Sequence, residues 1–113
     1  MEESWEILFF ETQRGERVVK EFIKSLDQKT ISKISSEISL LEKHGPILGM
    51  PYSKKLTKEL YELRIRGKQE IRIIYSFIDG AIYLLHAFQK KTQKTPVKEI
   101  ETANKRFQGL KIT

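Results

Sequence analysis

The sequence predicts an α+β fold with the element order β-α-α-β-β-β-α, in which a small antiparallel sheet carries an N-terminal helical hairpin on one face and is followed by a C-terminal helix. Apolar residues recur at helical spacing in two successive blocks between residues 16 and 44. Three runs of strand length then follow between residues 60 and 88, separated by short turn signals. Consecutive strands with short connections form an antiparallel meander, which the helical hairpin is expected to cover.

The length of 113 residues favours one domain that spans residues 1–113. The chain has no cysteine, which excludes disulfides, cysteine-based metal sites and thiol nucleophiles and is compatible with a cytoplasmic protein. Residues 1–10 lack the basic region and long apolar run of a secretory signal. The longest apolar stretch, at residues 81–88, is far too short to span a bilayer, so no membrane association is expected.

The first half of the chain is predicted to contain one strand and both hairpin helices. Residues 5–11 are rich in aromatic and β-branched side chains and have the length of a strand. Helical spacing then relates the apolar residues Val18, Val19, Phe22, Ile23 and Leu26. Asp27 is a suitable N-cap for a second helix, whose apolar stripe is Ile31, Ile34, Ile38 and Leu41. Gly45 and Pro46 end this helix, and residues 47–57 are predicted to form a loop.

The meander occupies the middle of the chain. In the strand at residues 60–66, the side chains of Glu62, Arg64 and Arg66 share the polar face. The next strand, at residues 70–78, carries Arg72 on its polar face. Tyr75 lies on the opposite, apolar face of that strand and is predicted to be packed.

The third strand and the last helix complete the predicted fold. Asp79-Gly80 predicts a two-residue hairpin turn, since glycine tolerates the positive φ that such turns require. The nearly continuous apolar run at residues 81–88 predicts a central strand buried on both faces. Thr95 and Pro96 are expected to begin the last helix, which Gly109 ends.

The positive charge is confined to the second half of the chain. Residues 1–50 hold seven Lys/Arg and nine Asp/Glu, whereas residues 51–113 hold fourteen Lys/Arg and six Asp/Glu, for net charges of −2 and +8. A field of this sign attracts nucleic acid or another polyanion. A solvated face that keeps the protein soluble is the alternative interpretation.

Arg64 and Arg72 are predicted to meet on the open face of the sheet, where planar guanidinium groups suit phosphate oxygens. A lysine-rich segment leaves the third strand nearby, at the start of the last helix, and contributes Lys90, Lys91 and Lys94. The sequence therefore predicts a phosphate-binding concavity. The alternative is that both arginines pair with Glu62 and Glu70 across the hairpin.

Groups that transfer protons are few. His86 has the parity of Ile82, Leu84 and Phe88, which predicts a core histidine, although its closeness to Lys90 keeps a catalytic role open. No His/Asp/Glu cluster has metal-ligand spacing, so an enzyme with this sequence is expected to use no metal or other cofactor. RNA supplies its own 2′-OH nucleophile, and Glu62, His86 or a lysine with a lowered pKa could handle the proton.

Three motifs resemble the HigB-like branch of the RelE/ParE toxin superfamily, often described as phage-derived toxin-like proteins. They are ELYELR at 59–64, EIRIIY at 70–75 and LLHAFQKKTQKTP at 84–96. The resemblance covers about residues 5–107. It implies a cytoplasmic toxin of a type II toxin–antitoxin system, which inhibits translation by cutting mRNA in the ribosomal A site without metal. The implied partners are the ribosome, mRNA and a HigA-like helix-turn-helix antitoxin encoded by a neighbouring gene.

The motif match, taken with the strand faces, yields two sets of expected site residues. The catalytic set is Arg64, Arg72, His86, Lys90 and Lys91. The RNA-binding set is Lys54, Lys55, Lys58, Arg66 and Lys94. Leu60 and Glu62 stand where RelE has lysines, and Pro96–Val97 where it has a tyrosine, so the RelE catalytic set does not transfer.

Two other functions are compatible with the same fold. A ParE-like protein would inhibit DNA gyrase and cut nothing, and a binding module would hold nucleic acid without catalysis. The scarcity of aromatic residues outside the apolar stripes disfavours the binding module, because single strands are held largely by base stacking.

Overall fold

The computed structural model describes residues 4–112, which form five strands, three α-helices and one short 3-10 helix at Gly45–Ile47. The strands are β1 (Glu6–Phe9), β2 (Ser53–Lys55), β3 (Tyr61–Ile65), β4 (Ile71–Ile78) and β5 (Ala81–Gln89). The α-helices are α1 (Val18–Lys24), α2 (Gln28–His44) and α3 (Val97–Ile112). The predicted α+β class and the predicted order of the elements are confirmed, with one strand added.

The five strands form one mixed sheet in the order β1-β5-β4-β3-β2. Neighbouring strands from β2 to β5 are antiparallel, as the meander predicts, and β5 is an inner strand. β1 instead pairs in parallel with β5, with Glu6 opposite Ala81. The expectation of a purely antiparallel sheet is therefore wrong at this one pairing, because the meander returns β5 alongside β1 in the same direction.

β2 lies inside the segment predicted to be a loop. Its three residues pair with β3, with Ser53 opposite Leu63 and Lys55 opposite Tyr61. The segment has no apolar alternation because β2 is an edge strand whose two lysines are exposed. Lysines on an edge strand discourage pairing with another chain, and they also hide the strand from pattern-based prediction.

Both faces of the sheet are covered by helices. On one face, Val19, Ile34 and Leu41 of the helical hairpin join a core with β3, β4 and β5. On the other face, Ala103 and Phe107 of α3 pack in a second cluster. α3 packs mainly on β4 and β5, so the face expected to be open is covered there.

The helix boundaries follow local hydrogen bonding. Asp27 caps α2, since the Thr30 N–H donates to Asp27 Oδ1 over 3.1 Å, and hydrogen bonding from Thr30 lowers the pKa of Asp27. α3 continues past Gly109 to Ile112, so the predicted end is wrong. Glycine permits a helix end without enforcing one, and a single glycine is tolerated within a helix.

A β-bulge in the β4–β5 pair changes which way the end of β5 faces. Ile74 lies opposite His86, whereas Tyr75 lies opposite Leu84, so Leu85 is the extra residue. Beyond a bulge the alternation of side chains is offset by one position. His86 therefore does not share the face of Ile82 and Leu84, contrary to the prediction, but it does share the face of Phe88, on whose ring it stacks.

Gly45 closes α2 in a conformation that a larger residue would disturb. Its φ is +54° and its ψ is −129°, and a Cβ at this position would overlap the indole ring of Trp5. We expect Gly45→Ala to lower the free energy of unfolding by about 1–3 kcal/mol through backbone strain, before any displacement of Trp5. Urea denaturation measures the loss. Gly49→Ala is the control because nothing lies within 4 Å of a Cβ there, and equal losses in both variants would contradict this account.

Candidate active site

Arg64 and Arg72 lie directly opposite each other on β3 and β4, as the sequence predicts. Arg72 is only 1% exposed and forms ion pairs with two acidic residues. Its Nη2 lies 3.0 Å from Glu70 Oε1, its Nε lies 3.5 Å from Glu62 Oε1, and its Nη1 donates to the Ile71 carbonyl. The alternative interpretation, that the arginines pair with Glu62 and Glu70, therefore holds for Arg72.

Arg64 has no such acidic partner. None of the ion pairs formed within residues 4–112 includes it, and its Nη1 donates to the Met50 sulfur over 3.4 Å. Its Nε is buried and has no hydrogen-bond partner in the described part of the chain. A thioether is a weak acceptor, so the Arg64 guanidinium keeps most of its capacity to bind an anion.

Lys90 completes this cluster at the end of β5. Its backbone N–H donates to the Glu70 carbonyl over 2.7 Å, which fixes it beside the start of β4. Partial burial lowers the pKa of Lys90, and the charges of Arg72 and Arg64 lower it further against the opposing effect of Glu62 and Glu70. Lys90 therefore lies next to Glu70, which is an acidic partner of Arg72.

Glu62 is buried under this cluster and is only 2% exposed. Besides the ion pair with Arg72, it accepts a hydrogen bond from the Thr95 hydroxyl over 2.5 Å. Thr95 thus ties the segment before α3 to β3. It does not act as the helix cap, and α3 begins at Val97, slightly later than predicted. Because Glu62 is enclosed on these sides, we assign it a supporting role, not the role of a base that reaches substrate.

Glu70 is the more accessible carboxylate, with a side chain that is 37% exposed. Burial alone would raise its pKa, but the hydrogen bonds from Arg72 and Gly67, together with the charges of Arg72 and Arg66, lower it overall. Glu70 therefore pairs with Arg72 as a carboxylate. The three cations Arg64, Arg72 and Lys90 face the two carboxylates Glu62 and Glu70, so the cluster has an excess of one positive charge when Lys90 is protonated.

The other predicted basic residues are exposed, and we refer to them as the rim. Lys91 and Lys94 lie in the segment after β5, Lys54 and Lys55 on β2, Lys58 before β3 and Arg66 directly after it. Lys55 lies over the Tyr61 ring, 5.8 Å from its centroid. Such flexible, solvated cations attract a polyanion without fixing its geometry.

His86 belongs to a different network, beneath α3. Its Nε2 lies 2.8 Å from Glu99 Oε1, and Arg106 Nη1 donates to its Nδ1 over 3.3 Å. Because Nδ1 accepts from a guanidinium, the imidazole proton lies on Nε2 and is donated to Glu99. Both ring nitrogens are thus used to hold α3, and the structure does not bring His86 into the cluster of Arg64, Arg72 and Lys90.

Two contacts made by Tyr52 and Ser53, just before and at the start of β2, have little signal in the sequence. Tyr75 is buried as predicted, but its hydroxyl lies 2.5 Å from Ser53 Oγ on the unpredicted strand β2, and burial raises the pKa of Tyr75 to about 12. Tyr52 is 41% exposed beside Arg64, whose N–H donates to the Tyr52 carbonyl over 2.8 Å. The only sequence signal for this exposed tyrosine is its place in a polar segment, two residues before the lysine pair Lys54-Lys55.

The comparisons with known proteins agree with the motifs on a phage-derived family and do not identify the HigB-like branch. Residues 21–108 match the family described as "Phage derived protein Gp49-like (DUF891)". The chain belongs to this family. The Gp49-like chain has no match among curated proteins at a significant level.

Solved structures share its fold at low sequence identity. One is the YoeB–YefM complex from Staphylococcus aureus, with 18% identity, a TM-score of 0.54, and coverage of 78% of this chain and 98% of that chain. Another is the YoeB dimer from the same organism, with 20% identity, a TM-score of 0.52, and coverage of 72% and 91%. A heterotetrameric YoeB–YefM toxin–antitoxin complex, at 20% identity and a TM-score of 0.50, covers 71% and 90%.

Two other kinds of feature are absent from residues 4–112. No group of three or more His, Asp or Glu side chains in this range is arranged to hold a metal ion. No helix in the same range is long and apolar enough to cross a membrane.

Proposed function

We propose that this Gp49-like protein is the toxin of a type II toxin–antitoxin pair, and that it cuts mRNA on the ribosome without a metal ion. The observation that carries the proposal is the placement of Arg64, which lacks an acidic partner, directly opposite Arg72 on the sheet, with Lys90 held beside Glu70 at the end of β5. Arg64 supplies a fork for a phosphate, and Lys90 supplies a group that can exchange a proton. The fold shared with the YoeB toxin supports the same conclusion.

In this proposal the RNA provides the nucleophile. Neutral Lys90 accepts the proton of the 2′-OH, the 2′-oxygen bonds to phosphorus, and the bond from phosphorus to the 5′-oxygen breaks. The Lys90 ammonium returns the proton to the departing 5′-oxygen, so the products are a 2′,3′-cyclic phosphate and a 5′-hydroxyl. Arg64 stabilises the charge that develops on the phosphate oxygens.

Arg72 has a positioning role in this scheme. It is buried and forms ion pairs with both Glu62 and Glu70, so it offsets one of their two negative charges and holds both carboxylates in place beside Arg64 and Lys90. We assign Lys91 and the exposed rim lysines to attraction of the RNA. His86 is assigned to the attachment of α3 and takes no part in the chemistry.

We further propose the setting that the HigB-like motifs imply. The protein acts in the cytoplasm as a single toxin domain, and a HigA-like helix-turn-helix protein from a neighbouring gene neutralises it. An open reading frame with that pattern beside the gene, whose product rescues growth, is the expected finding.

The test is primer extension on a defined mRNA in a purified translation system, with a metal chelator, with and without ribosomes. We expect cuts that require ribosomes and persist with the chelator. Arg64→Ala should reduce the cutting rate about tenfold to a hundredfold, since hydrogen bonds to charged groups contribute about 1.5–3 kcal/mol. Lys43→Ala is the matched control, because it removes one exposed positive charge from α2, outside the site, and should leave the cutting rate unchanged.

Two outcomes would contradict the proposal. Full cutting by a folded Arg64→Ala protein would show that the site lies elsewhere. Intact mRNA in every lane would remove the nuclease function, and inhibition of purified gyrase in a supercoiling assay would then identify the ParE-like alternative.

A further inference from the structure

A groove of about 290 Å³ lies beside Arg64, between α2 and the loop that leads into β2. Its walls include Lys33, Glu37, Pro51, Tyr52, Arg64 and Arg66. Arg64 therefore borders both the groove and the proposed phosphate site. A nucleotide whose phosphate contacts Arg64 would place its own or a neighbouring base within reach of this groove.

Tyr52 gives the groove an exposed aromatic wall. Its side chain is 41% exposed, and its carbonyl accepts the Arg64 N–H, which fixes the tyrosine backbone next to the arginine. Met50 on the same loop is 62% exposed and contacts the Arg64 guanidinium through its sulfur. Base stacking on aromatic side chains is the general means by which proteins hold single-stranded RNA.

Glu37 gives the groove an uncompensated acceptor. Its Oε2 is buried and has no hydrogen-bond partner within the described residues, and burial raises the pKa of Glu37. Within residues 4–112, Lys33 forms no ion pair with Glu37, and its Nζ donates to the Arg66 carbonyl over 3.1 Å. Arg64 also lines the groove. Unpaired buried polar groups destabilise the free protein and are relieved by a ligand that pairs with them.

We propose that this groove binds a nucleobase of the RNA strand, with Tyr52 stacking on the base and the Glu37 carboxylate accepting its N–H groups. Guanine fits best, because its N1–H and N2–H donors lie side by side and match the two oxygens of one carboxylate. The inference rests on the proposed function for its substrate class. It adds a base-selecting subsite next to the phosphate held by Arg64.

The subsite is tested by NMR titration of the ¹⁵N-labelled protein with the four nucleoside 3′-monophosphates. We expect 3′-GMP to bind about tenfold more tightly than 3′-UMP, since a bidentate contact discriminates between bases by about 1–3 kcal/mol. Glu37→Gln should abolish this preference for 3′-GMP. Glu42→Gln, which removes one negative charge at an exposed position of the same helix, should keep it. Tyr52→Leu should weaken all four nucleotides, and Tyr52→Phe should not.

The outcomes separate this inference from the proposed function. Equal binding of the four nucleotides by the wild-type protein, or an unchanged ratio in a folded Glu37→Gln protein, would overturn the subsite even if mRNA is cut. A guanine preference that depends on Glu37 in a protein that cuts no RNA would establish the subsite and remove the nuclease. If Glu37→Gln fails to fold, Tyr52→Leu decides, since unchanged binding in that variant also overturns the subsite.

Discussion

Replacing Lys90 by arginine should slow mRNA cutting by about a hundredfold to ten-thousandfold, the usual contribution of a positioned proton-transfer group. Arginine keeps the positive charge but does not lose its proton in proteins, so it can attract RNA without accepting the 2′-OH proton. Binding of mRNA should therefore change little while the cutting rate falls. A residue that supplied charge alone would tolerate this change.

Single-turnover cutting rates at several pH values measure this effect. The wild-type rate should rise with pH as Lys90 becomes neutral. Because burial and the two arginines lower the pKa of Lys90, the rate should reach its plateau at a pH below 10.5, the ordinary pKa of lysine. Lys90→Arg should lose this rise. Lys98→Arg, an exposed change on α3, is the control and should keep both rate and profile. A Lys90→Arg protein with an unaltered pH profile would assign the proton transfer to another group.

Replacing Arg72 by methionine should lower the free energy of unfolding by about 3–5 kcal/mol, because it leaves a buried carboxylate without its countercharge. The Glu62 and Arg72 side chains are each only 2% exposed. Methionine fills much of the volume of the arginine stem, so lost packing contributes less than lost charge. The effect should be larger than that of any single change at the exposed rim.

A double-mutant cycle separates the charge from the packing. The Glu62→Gln/Arg72→Met protein should recover most of the lost stability, since glutamine carries no charge and its oxygen can still accept from the Thr95 hydroxyl. Urea denaturation of the wild type, both single variants and the double variant gives the coupling energy. Arg66→Met, at an exposed arginine, should stay within about 0.5 kcal/mol of wild type. A similarly small loss in Arg72→Met would show that the pair is not needed.

Local patterns predicted most of the fold. The helical spacing before residue 44 gives α1 and α2, and Asp79-Gly80 adopts the positive φ values, +48° and +78°, that its turn requires. The register of Arg64 against Arg72 follows from alternation in two neighbouring strands. Each of these features depends on residues close together in the chain, which is why single-sequence reasoning finds them.

The features that sequence reasoning missed depend on distant parts of the chain. β2 exists because β3 offers a free edge, and nothing within residues 53–55 indicates it. The bulge near His86 arises from the pairing of two strands and turns the imidazole toward Glu99 on α3. The partners of the site residues are equally hard to predict. Arg72 forms ion pairs with Glu62 and Glu70, whereas Arg64 contacts the Met50 sulfur, and alternation along the two strands does not distinguish these outcomes.

The parallel pairing of β1 with β5 also sets the order in which the protein can be completed during synthesis. Glu6 pairs with Ala81, and Lys90 and Thr95 follow still later in the chain. Because a contact between distant residues must wait until both have emerged, the nascent chain cannot close its sheet before residue 84 or assemble Arg64 with Lys90 before residue 90 has left the exit tunnel. A protein that we propose attacks translating ribosomes thus lacks its own site while these residues are still inside the ribosome that makes it.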